Sequence, residues 1–211
     1  MTLTMRSRVL LAIAALLLAA TFLLPLWSVT LQAPQYPEGL GMRIWLNTIA
    51  GVKPNDLENI NNLNHYIGMK RIVPESIPEL RLMPIFVGVL AALGLAAAGL
   101  GRRGLARLWV GLFLVAAVVG LADFYRWEYD YGHNLDTENA IIKVPGMNYQ
   151  PPLIGSRQLL NFTASSLPAA GGWAAIVALG LGVLVVFTSR TPSDPSIRVA
   201  SPKTKPVSLV A

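Results

Sequence analysis

The sequence predicts an all-α integral membrane protein with four transmembrane helices, two ordered outer loops, and both termini in the cytoplasm. Three observations carry that expectation. Of the 211 residues, 54% are hydrophobic and 13% are charged, whereas soluble domains carry about 25% charged residues. Four apolar runs approach or exceed the roughly 20 helical residues needed to cross a hydrocarbon core of about 30 Å. The net positive charge falls on three short segments that would lie on one side of the bilayer.

The first run, 9–27, carries no charge and follows a basic start, Arg6 and Arg8. Its length exceeds the 7–15 residue apolar region usual for a cleaved signal peptide, and no A-x-A site follows it. Pro34 and Pro37 crowd the place where cleavage would fall, so the run reads as a retained signal-anchor. The second run covers 83–100, the third 105–124 and the fourth 168–187. Gly94, Gly99, Gly171, Gly172, Gly180 and Gly182 sit in the second and fourth, where small residues let helices approach closely in lipid.

Charge fixes the expected orientation. Arg6 and Arg8, the Arg102, Arg103 and Arg107 connection, and the tail with Arg190, Arg198, Lys203, Lys205 and Asp194 together carry +8. The intervening segments 28–82 and 123–167 carry zero and −2. Positive loops stay inside, so those two segments are expected to be the outer loops. The +6 total and pI near 9.9 then record topology and give no reason to expect nucleic-acid binding. The tail 191–211 mixes Pro, Ser and Lys without periodicity and is expected to be disordered.

Function is expected in the two outer loops. In the first, Pro54 precedes Asn55, with Glu58 three residues on, a capping-box-like helix start. Leu57, Ile60, Leu63 and Ile67 then repeat at helical spacing. On the other face Asn61, His65 and Met69 stand four residues apart, with Gly68 a natural helix stop. In the second loop, DFYRWEYDYGHNLD (123–136) sets an aromatic belt before His133, and KVPGMNYQPPLIG (143–155) puts Met147 on a Pro- and Gly-rich loop. Segment 156–167, through Leu159, Leu160 and Phe162, reads as the return into the membrane.

The absence of cysteine excludes disulfide staples, Cys-ligated zinc or iron–sulfur sites and a cysteine nucleophile. Soft-metal ligation must therefore come from imidazoles and thioethers, which suit copper, the thioether favouring Cu(I). Both histidines, His65 and His133, and the methionines Met42, Met69 and Met147 lie in the outer loops. These five are the candidate copper ligands, with His65 and His133 expected to approach each other. Glu128, Asp130, His133 and Asp136 form a weaker candidate for a hard cation, against a plain reading as a solvated acidic loop. No histidine lies within a span to hold a transmembrane haem. No P-loop, GxSxG, HExxH or dinucleotide fingerprint occurs, so no enzymatic activity is expected.

The stretches APQYPEGLGM (33–42), NNLNHYIGMK (61–70), WEYDYGHNLD (127–136) and VPGMNYQPPLIGSRQLLNF (144–162) resemble a family of bacterial four-span membrane proteins. That family is found with the maturation machinery of nitrous oxide reductase. The resemblance covers nearly the whole chain and implies an accessory role in periplasmic copper delivery or copper-enzyme assembly, with copper as a transient ligand. It implies no ligand assignment. The alternative expectation is a structural or docking subunit that binds other membrane or periplasmic proteins and no metal.

Overall fold

The computed structural model describes residues 2–159 and 161–189. Its five α-helices are α1 (Met5–Ala20), α2 (Asp56–Tyr66), α3 (Glu79–Leu100), α4 (Arg103–His133) and α5 (Ala170–Thr188). Its five strands are β1 (Trp27–Ala33), β2 (Tyr36–Ile44), β3 (Ile49–Gly51), β4 (Gly155–Leu159) and β5 (Phe162–Pro168). The strands form one antiparallel sheet in the order β3-β2-β1-β5-β4.

The all-α, four-span expectation is thus corrected. Among the described residues three helices, α3, α4 and α5, are long and apolar enough to cross a membrane. The first apolar run, 9–27, does not continue as one helix. α1 spans 16 residues, about 24 Å at 1.5 Å per residue, short of a hydrocarbon core of about 30 Å. Pro25 disfavours helical backbone at the residue before it, and from Trp27 the chain enters the sheet. Trp27, Val29, Leu31 and Ala33 alternate with Ser28, Thr30 and Gln32, the period-two pattern of a half-buried strand. The expected return segment 156–167 is likewise the β4–β5 hairpin, with Ala164 and Ser166 fully buried on one face. The expected tail disorder over 191–211, and Leu160, lie outside the described residues.

α1, α3, α4 and α5 pack as a bundle around Trp109, which is 0% exposed. Its indole Nε1 donates to Leu90 O on α3 at 2.8 Å, and its ring meets Phe113 edge-on at 5.4 Å. The ring is admitted because Gly94 and Gly182 face it: a Cβ at Gly94 would stand 2.7 Å from Trp109 Nε1, and one at Gly182 would overlap the ring. At one end of the bundle Leu3 N donates to Gly101 O at 2.7 Å, and Arg8 Nε donates to Ala98 O at 2.8 Å. This closes the α3–α4 turn beside the chain start with Arg8, Arg102 and Arg103 nearby.

The sheet lies at the other end. β1 follows α1 and β5 precedes α5, and the two pair as central neighbours with Trp27 opposite Pro168. Ala169 N donates to Leu26 O at 3.0 Å and Gly171 N to Pro25 O at 2.8 Å, so the first amides of α5 are satisfied by the chain entering β1. The sheet's inner face packs on α2 and the outer third of α4 through Val29, Leu40, Met42, Ile49, Ile60, Ile72, Ile77 and Leu80, with Trp127 and Tyr131 against them. This second core belongs to a cap that rises from the end of the bundle.

Candidate functional site

α2 is where the cap's polar chemistry gathers. Its apolar face is as the spacing predicts: Ile60 is buried in the cap core and Leu57 and Leu63 pack against it. Its start differs. Asn55 takes left-handed backbone (φ 66°) and makes no side-chain cap. Glu58 instead forms an ion pair with Arg71. The carboxylate of Asp56 is buried and accepts from Gly41 N at 3.0 Å and Lys53 N at 3.1 Å, tying the helix start to the β2–β3 corner.

The other end of α2 makes a cleft. The helix stops at Tyr66, and Gly68, at φ 77°, turns the chain back. Gly68 O accepts from Asp136 N at 2.8 Å, and a Cβ on Gly68 would stand 2.6 Å from Asp136 O, so only glycine admits this approach. Ile142 N donates to Tyr66 O at 2.8 Å. The segment after α4 is therefore clipped onto the end of α2. Between them opens a cleft of about 560 Å³ lined by His65, Met69 and Lys70 on one wall and Asn134, Asp136 and Asn139 on the other. A smaller cleft of about 300 Å³ adjoins it, and His65 and Met69 line that one too.

Of the five candidate ligands, the structure therefore brings His65 and Met69 together. Met69 lies past the helix end, with its amide donating to Asn64 O at 2.9 Å. Asn61, predicted on the same face, is buried: its amide bonds both to Ile72 O (3.1 Å) and from Ile72 N (2.7 Å). Met42 is buried on β2 in the cap core. His133 ends α4, stacked on Tyr129 at 3.9 Å with Nδ1 3.1 Å from Tyr129 O. It does not line the cleft, although its neighbour Asn134 does. Met147 is half-buried on a turn closed by Met147 N to Val144 O.

The charges around the cleft are engaged. Lys70 Nζ pairs with Asp130 at 2.7 Å, and this hydrogen bond, helped by Asn134, holds the Asp130 carboxyl below its ordinary value. Asp136 is lowered first by the side-chain amide of Asn139 at 2.8 Å and then by backbone amides of Asn139 and Glu138. Both carboxylates stay ionised at neutral pH, yet each is occupied in shaping the cleft wall. The acidic quartet does not assemble: Asp130 is half-buried and Asp136 exposed, each separately engaged, whereas Glu128 is buried. Among the described residues no group of three or more His, Cys, Asp or Glu stands where it could hold a metal ion.

Glu128 is the residue whose importance the sequence concealed. It is 1% exposed, neither carboxylate oxygen has a hydrogen-bond partner, and burial pushes its pKa up to about 8. Its neighbours in sequence are aromatic and charged, so it read as one of several solvated acids. The signal available was its spacing, one turn from Phe124 and Gly132 on the inner side of α4. No protein-family model matches the chain, and no curated protein matches it.

Proposed function

We propose that the chain is a membrane-embedded accessory protein, without catalysis of its own, whose cap handles Cu(I) on the outer face of a bacterial plasma membrane. Assembly of a copper-containing respiratory enzyme such as nitrous oxide reductase is the process this would serve. The observation that supports the reading is the meeting of His65 and Met69 in one open cleft. An imidazole and a thioether are a soft pair that Cu(I) accepts, and here the imidazole is exposed and the thioether half-buried at the cleft. A third donor would come from a partner, which suits transfer better than storage. The gathering of Arg8, Arg102 and Arg103 at the bundle end opposite the sheet supports an outward-facing cap.

The test is a Cu(I) competition titration of the full-length protein in mild detergent against a chromophoric chelator. Wild type takes up one equivalent, His65→Ala and Met69→Ala each weaken binding at least tenfold, and His133→Ala leaves it unchanged. Equal affinity in wild type and both variants overturns the reading. A second reading, a docking subunit that binds no metal, draws on the exposed apolar side chains Ile141, Ile142 and Val144 on the cap. It is favoured if no copper is taken up while a partner protein co-purifies from native membranes.

A further inference from the structure

The cap encloses four polar atoms without hydrogen-bond partners among the described residues: both carboxylate oxygens of Glu128, Asn148 Oδ1 and the Tyr149 hydroxyl. Glu128 is 1% exposed and Tyr149 3%. Their elements are fastened to each other. Tyr149 N donates to Gly132 O at 3.0 Å, and the backbone of Gln150 lies so close to Gly132 that a Cβ there would overlap it. Glu128 stands four residues before Gly132, on the same side of α4, so the 148–150 strip meets the helix one turn beyond Glu128. Glu128 also lies past the apolar part of α4, which ends at Ala122 before Asp123.

A carboxylate closed off from water with no donor beside it is unfavourable as an anion and is relieved by taking up a proton. A neutral carboxyl also gains a donor, and the unpartnered Asn148 Oδ1 is an acceptor waiting for one. We propose that Glu128 is a proton-binding latch: as the neutral acid it hydrogen-bonds to the 148–150 strip and holds it on α4, and loss of its proton to solvent releases the strip. Because Gly132 is followed directly by the segment that walls the His65–Met69 cleft, release also loosens that wall. The latch itself does not depend on copper binding.

On α4, Arg126 pairs with Asp123 and Glu79, Asp130 pairs with Lys70, His133 stacks on Tyr129, and the Tyr131 hydroxyl, raised by burial and by Asp130, donates to Arg71 O. On the strip only Tyr149 titrates, and burial raises it further above neutrality. From β4, Arg157 Nη1 donates to Gln150 O at 3.5 Å. The cause that raises Glu128 is burial. The closed strip prefers the protonated acid, so its protection is full below the ordinary value of 4.5 and is lost as pH rises through about 8.

Two measurements on the full-length protein in nanodiscs test this. Infrared difference spectra across a pH jump from 6 to 9 should show a protonated-carboxyl band disappearing with a midpoint near 8, absent in Glu128→Gln. Hydrogen–deuterium exchange over 146–153, corrected for intrinsic chemistry, should accelerate at least tenfold over the same range in wild type and stay slow in Glu128→Gln, which keeps the uncharged shape. Absence of the band from wild type overturns the proton site. A pH response of the strip that is identical in Glu128→Gln overturns the latch. Protection that follows sodium concentration at fixed pH, and not pH, overturns it in favour of a cation held by the same oxygens.

Discussion

The two parts of α4 are one continuous helix in two different surroundings. From Leu105 to Ala122 its buried positions are Ala106, Trp109 and Phe113, while Leu112, Leu114, Val115, Val118, Val119 and Leu121 are exposed. From Asp123 to His133 the buried positions are Glu128 and Gly132, and Tyr125 and Tyr129 are exposed. The first part puts branched aliphatics outward and packs a single large ring against glycines, the pattern of a helix whose solvent is hydrocarbon. The second part joins a cap with its own apolar core, polar anchors and ion pairs, as water-facing structure requires. Contact between helices in the bundle gains little from the hydrophobic effect if the surroundings are lipid, so the bundle must rely on fit. The cap gains from both burial and fit.

The largest expected effect is therefore on the bundle's ring-into-glycine contact at Trp109. Trp109→Ala removes a fully buried ring together with its hydrogen bond to Leu90 O and leaves a cavity between Gly94 and Gly182. It should destabilise the protein by about 3–5 kcal/mol, measured as a lower midpoint in denaturation from detergent micelles. Near-neutral behaviour would mean that the bundle tolerates a void because its helices are held from outside, by the cap, and the comparison between the two parts would fail.

The apolar helices were legible in the sequence because length and composition alone identify a run such as 83–100, and because lipid-facing helices need no periodicity to be recognised. The sheet was not, and the reason is visible at Trp27. Leu23, Leu24, Pro25, Leu26 and Trp27 extend the apolar run past the end of α1, so hydropathy merges a helix end, a turn and a strand into one span. The period-two alternation of 27–33 was the discriminating signal. In β5 the same alternation is written with Ala164 and Ser166, residues too small and polar to read as a buried strand face. For the site, His65 and Met69 were legible as a spaced pair, but their meeting place depends on Gly68 clipping onto Asp136, a contact across 68 residues that no local pattern encodes. His133 and Met42 illustrate the converse: residue type marked them, and their neighbours, a tyrosine ring and a packed core, decided their surroundings.

Within the cap the comparison sharpens to one strap, residues 69–72, which returns along α2, and to two of the points that hold it. The first is Asn61, 5% exposed, whose side-chain amide makes two hydrogen bonds with the backbone of Ile72. Asn61→Ala leaves a buried N–H and a buried C=O unmatched and should cost about 1–3 kcal/mol, seen as a lower thermal midpoint. The Ile72 amide should also exchange faster, because its partner is gone.

The second point, the ion pair between Arg71 and Glu58, has full opposite charges, yet it should matter least. The side chains are 58% and 50% exposed, so water screens their attraction and both groups are well solvated when apart. Each long side chain also gives up rotamer freedom to hold the pair, which offsets much of what remains. The buried amide of Asn61 has no such alternative partner when its bonds are broken. Arg71→Ala should therefore change stability by less than about 1 kcal/mol, with the difference from wild type shrinking as salt rises from 10 mM to 1 M. The Tyr131 hydroxyl, which donates to the Arg71 backbone carbonyl at 3.3 Å, keeps the strap in place in the variant. A loss as large as that of Asn61→Ala, insensitive to salt, would show that the strap is held at its charged end, and that exposure does not rank the contacts of the cap.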